Sequence, residues 1–73
     1  MKGKNNYYEM RKQALQDINM MVMKQRKVER SSIYLMLAER YGITNNKFAD
    51  NYIWLKIKAG FFKANKEIVE WVQ

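Results

Sequence analysis

Residues 45–62, NNKFADNYIWLKIKAGFF, decide how this 73-residue chain folds. Asparagine is a favoured residue just before a helix, and no breaker follows until Gly60, where an aromatic pair begins. The spacing predicts a helix over 46–59. On a wheel turning about 100° per residue, Phe48, Tyr52, Leu55 and Ala59 lie within about 60° and form the expected core stripe. Lys47, Asn51, Trp54 and Lys58, spaced i, i+4, i+7, i+11, form a second line that is expected to face solvent. Ile53 and Ile57 belong to neither line, so the segment holds more apolar residues than one buried face needs.

Upstream, Ser31 or Ser32 is the expected cap of a helix over 32–41 that buries Ile33, Tyr34, Leu37, Ala38 and Tyr41. Gly42 suits the left-handed position that ends a helix, Ile43 can plug the core, and Thr44 or Asn45 can cap the next helix. A longer helix is expected over 6–27, roughly 30 Å at ~1.5 Å per residue. There Tyr8, Leu15 and Val22 recur with Tyr7, Ala14, Ile18 and Met21 on one face, opposite Glu9, Gln13, Gln16, Asp17 and Lys24. Met20 and Met23 fall off that face. Residues 1–5 are expected to be a flexible basic tail, and KQRKVERSS (24–32) breaks the helical pattern.

Downstream, residues 61–64 and 67–72 are rich in aromatic and β-branched types and flank Asn65-Lys66, which predicts a small hairpin. The competing reading is a fourth helix capped by Asn65, with Ile68, Trp71 and Val72 on its inner face. The hairpin is preferred because Ile-Val-x-Trp-Val favours strand and the segment is short for a helix.

Fourteen Lys/Arg stand against seven Asp/Glu, a net charge of +7 on a very small body. That excess points to an anionic partner, nucleic acid before membrane. Without cysteine or histidine the chain has no disulfide framework, no zinc ribbon, no thiol nucleophile and no imidazole base. The carboxylates are not spaced to build a metal site, no glycine loop cradles phosphate, and Ser31-Ser32 has no base to activate it. The expectation is a protein that is not an enzyme and takes no cofactor. No run approaches the ~20 apolar residues of a membrane span and no leader is legible, so a cytoplasmic location is expected.

From Ser32 to Val72 the chain resembles the winged helix-turn-helix family. YLMLAERYGI (34–43), the turn at Gly42, NNKFADNYIWLKIKAG (45–60) and FFKANKEIVEWV (61–72) stand in that family's order. Ala38, Gly42, Ile43 and Phe48 match its small residue, turn glycine and core hydrophobics, and LKIKAGFFK looks like its passage from recognition helix into wing. Asn51 stands where a buried aliphatic is common, and the first helix is longer than usual. The resemblance implies a single, mostly α domain over 6–73, with three helices and a wing hairpin. It also implies that the third helix enters the major groove while the wing follows phosphates or the minor groove. Size and charge resemble DNA-binding regulators or replication accessories of phages, plasmids and other mobile elements.

The candidate nucleic-acid contacts are Asn46, Lys47, Asn51, Trp54 and Lys58 on the third helix, and Lys63 and Lys66 on the wing. Lys24, Arg26, Lys27 and Arg30 follow at the end of the first helix. Lysines position a protein on phosphates, and Asn51 can pair bidentately with adenine. Trp54 is open to three readings: stacking on an unpaired base, packing inside the protein, or a protein interface. Duplex reading and single-strand binding therefore remain as alternatives. A third is an adaptor that docks a partner or a second copy through its first helix and Met20, Met23, Leu35, Met36, Ile53 and Ile57.

Overall fold

The computed structural model describes residues 2–72, with side chains from Tyr7 onward. Three helices, α1 (Lys2–Gln25), α2 (Arg30–Tyr41) and α3 (Asn46–Lys58), surround a small antiparallel sheet of β1 (Lys27–Glu29), β2 (Phe62–Ala64) and β3 (Ile68–Trp71). The strand order is β1-β3-β2, so the last strand lies in the middle. None of the described helices is long and apolar enough to cross a membrane.

Two expectations about α1 change. It begins at Lys2, inside the stretch read as a loose tail; once a helix is nucleated, each added residue gains a hydrogen bond, and only Gly3 opposes extension. Met1 lies outside the described residues. At the other end α1 stops at Gln25 instead of 27, because Arg26 turns left-handed (φ 69°) and the chain becomes extended. The buried face of α1 is Ala14, Ile18 and Val22, flanked by Leu15 and Met21; Tyr7 and Tyr8 are exposed.

β1 is the element that local pattern did not reveal. Val28 pairs with Val69, placing Lys27 opposite Glu70 and Glu29 opposite Ile68. On the other side of β3, Phe62 pairs with Trp71 and Ala64 with Val69. Val28, Val69 and Phe62 point into the core, while Lys27, Glu70 and Lys63 form one cross-strand row, a carboxylate between two ammonium groups. The hairpin turn is held by Asn65, whose Oδ1 accepts from the N–H groups of Glu67 and Ile68, both at 2.8 Å. Asn65 thus bonds as a helix cap does, but β3 has a strand to pair with on each side and stays extended.

Extension of β1 to Glu29 also moves the start of α2. Its cap is Glu29, whose side chain makes no capping hydrogen bond, and both Ser31 and Ser32 lie within the helix. The N–H of Arg30, the first residue of the helix, donates to the Glu67 carbonyl at 2.7 Å, so the hairpin turn satisfies one of the donors left open at the start of α2. α2 buries Ile33 and Leu37, with Tyr34 and Tyr41 half-buried against them. At its end Gly42 (φ 68°) donates to Ala38 O and Ile43 donates to Leu37 O, both at 3.1 Å, a closure through a left-handed glycine. Asn45 then caps α3, its side chain accepting from Lys47 N at 3.0 Å.

A Cβ at Gly42 would meet nothing within 4 Å, so substitution there is opposed by backbone conformation alone. Gly42→Ala is expected to cost about 1 kcal/mol in urea unfolding, and Gly42→Asn less, because asparagine tolerates the left-handed region. A loss of several kcal/mol in both would contradict a purely conformational role.

Candidate nucleic-acid interface

α3 is rotated by about one residue from the wheel read in the sequence. Its buried positions are Ala49 and Ile53 (1 % exposed), whereas Leu55 is 58 % exposed and Ala59 lies outside the core. Phe48 and Tyr52 are half-buried at the flanks. Apolarity alone put the aromatics at the centre of the stripe; packing puts Ala49 there, where a small side chain lets the helix approach its neighbours closely. Ile53, read as surplus surface, is a core residue. Ile57 sits at the edge of exposure.

The rotation leaves Lys47, Asn51, Trp54 and Lys58 more squarely opposite the core. All four are exposed, Trp54 at 57 %, so the indole is not folded beneath another element. The Lys58 ammonium stands 4.6 Å from the Trp54 ring centroid, a cation–π contact on the outer face of the helix. Asn46 is exposed at the start of α3, and Lys63 and Lys66 are exposed on the hairpin. Lys24, Arg26 and Lys27 are exposed at the junction of α1 and β1.

Arg30 differs from these. Its guanidinium donates to Asp50 Oδ1 at 3.0 Å and to the Asn65 carbonyl at 2.7 Å, tying α2, α3 and the hairpin turn together. Tyr34 donates to the same Asp50 oxygen at 2.6 Å. Burial, reinforced by the hydrogen bond to Asp50, raises the Tyr34 hydroxyl above its ordinary pKa of 10.0, so it stays a donor through neutral pH. Arg30, expected to reach phosphate, is engaged inside the protein. A parallel contact closes the other side: Asp17 of α1 accepts from the Tyr41 hydroxyl and, at 3.4 Å, from Arg40. The hydrogen bond to Asp17 is the main cause of the raised Tyr41 pKa.

Lys56 lies 4.5 Å from the centroid of Phe61, with the Tyr52 and Phe62 rings at 5.7 and 5.8 Å, and so fastens the end of α3 to β2. Trp71 completes this cluster against Phe61 and Phe62. Among the remaining candidates, Leu35 is 58 % and Met20 43 % exposed, whereas Met23 and Met36 are half-buried.

On one flank of α3 a groove of about 450 Å³ runs between that helix, the start of α2 and the hairpin turn. Trp54 and Ile57 line one side, Ile53 lies beneath, and Asp50, Tyr34 and Lys66 complete it. Sequence reading missed this groove because it depends on the hairpin turn meeting α2 through Arg30. Comparison with known protein families, curated proteins and solved structures returns no match for this chain.

The register of α3 has a direct test in stability. Ile53→Ala should cost about 3 kcal/mol, as expected for truncating a buried isoleucine, while Leu55→Ala should stay within about 0.5 kcal/mol of the parent. The reverse order would restore the other face to the core.

Proposed function

We propose that this chain is a non-enzymatic, cytoplasmic nucleic-acid-binding protein of the winged helix-turn-helix type. In this reading it serves as a regulator or replication accessory of a phage, plasmid or other mobile element. The observation that carries the proposal is the outward face of α3, where Lys47, Asn51, Trp54 and Lys58 are exposed together on the side away from the core. The helix–Gly42–helix unit followed at once by a hairpin with Lys63 and Lys66 supports the same assignment. Lysines at the two ends of the face meet phosphates, and the amide and indole between them meet bases. Net charge of +7 favours association with any polyanion and steers the encounter.

A second reading has its own observation. A groove of about 480 Å³ between α1 and α2 is lined by Met20, Met21 and Met36, with Lys24 and Arg40 beside them. Adaptable methionine surfaces of this kind suit a partner helix, and docking there leaves the α3 face free for nucleic acid.

Fluorescence anisotropy with labelled oligonucleotides at several salt concentrations tests the proposal. Replacing both Lys47 and Lys58 by Ala should weaken binding about tenfold or more at low salt and flatten the slope of log K against log salt by roughly 1.5. Absence of salt-dependent binding by the folded parent protein to either single- or double-stranded DNA contradicts it.

A further inference from the structure

We infer that the groove beside Trp54 receives one unpaired nucleobase, so that the protein prefers single strands, or a duplex with an extrahelical base, over intact duplex. This rests on the nucleic-acid reading above and sharpens it to a substrate class. Trp54 is a large, exposed aromatic on the outward face of α3, and it also forms a wall of the groove. An indole offers a base a surface to stack on, worth roughly 1–3 kcal/mol per base, whereas the edges displayed in a duplex groove are read by hydrogen bonding. Ile57 beside it and Ile53 beneath supply an apolar bed for the edge of a stacked ring.

The polar groups of the groove divide the remaining work. Lys66, on the hairpin turn, lines the groove, and Lys58, outside its lining but against the indole, adds a second positive charge for the phosphates flanking an inserted nucleotide. Arg30 is already neutralised by Asp50 and serves as structure. Asp50 takes both of its hydrogen bonds, from Arg30 and Tyr34, on Oδ1, while Oδ2 accepts from none of the described residues. That free carboxylate oxygen can accept from the exocyclic amine of an inserted cytosine or adenine, or from the N3–H that an unpaired thymine exposes, so it orients an inserted base without selecting one.

The test compares three labelled DNA ligands of one sequence, a single strand, an intact duplex and a duplex with one unpaired central cytosine, using the full chain at fixed salt. Binding to the single strand and the bulged duplex should exceed binding to the intact duplex by about tenfold. 2-Aminopurine placed at the unpaired position should be quenched on binding. In Trp54→Ala the bulged-to-intact ratio should fall to within about twofold, and in Trp54→Phe it should largely persist. Because Trp54 is exposed, its removal should leave thermal unfolding nearly unchanged, which separates lost stacking from lost fold. Equal affinity for all three ligands, or a preference that survives Trp54→Ala, overturns the inference while leaving nucleic-acid binding intact. Failure to bind any of them overturns both.

Discussion

The structure depends on the central position of β3. A four-residue strand near the end of the chain is paired on both sides, with β1 at the exit of α1 and with β2 at the exit of α3. That double pairing draws the ends of the two helices to one place. Arg30 then fixes the corner: its backbone N–H donates to the hairpin turn, and its side chain holds Asp50 of α3 and the carbonyl of Asn65. Trp71 N–H donates to the carbonyl of Arg26 at 2.8 Å, so the point where α1 ends is bonded to the last strand as well. Lys56 and its rings fasten the other end of α3 to β2, and between these two ties the hairpin turn forms the second wall of the groove beside Trp54.

Much of this was legible locally and one part was not. The Gly42 closure, the Asn45 cap and the Asn65 turn each depend on one residue with a specific conformational property, and each stands where the sequence put it. β1 depends on no such residue. Lys27-Val28-Glu29 has a single apolar member and no period to detect, and it is a strand because β3 presents unpaired backbone groups to it. Missing β1 carried a second error with it: Ser31 and Ser32 look like caps only when the chain before them is assumed to be loop.

The α3 wheel teaches a different lesson. Ranking positions by apolarity favoured Phe48, Tyr52 and Leu55, and gave Ala49 little weight. Tertiary packing put the small residue inside, with Ala49 and Ile53 buried and the two rings at the flanks. The outward line nevertheless survived the rotation. It was identified as two lysines, an amide and an indole sharing one side of the helix, and the one-residue rotation carried that side further from the core. The groove belongs to neither kind of pattern, since its walls come from three elements far apart in sequence.

The exposed stripe of α3 and the groove beside it adjoin one another, while the methionine-lined groove of α1 and α2 lies on a different pair of elements. Backbone amide chemical-shift mapping by NMR during titration with a short single-stranded oligonucleotide separates the two surfaces most directly. The account predicts that the largest shifts fall on Asn51, Trp54, Ile57 and Lys58, together with Asn65 and Lys66 across the groove. Shifts confined to Met20, Met21, Met36 and Arg40, with α3 unchanged, would contradict it.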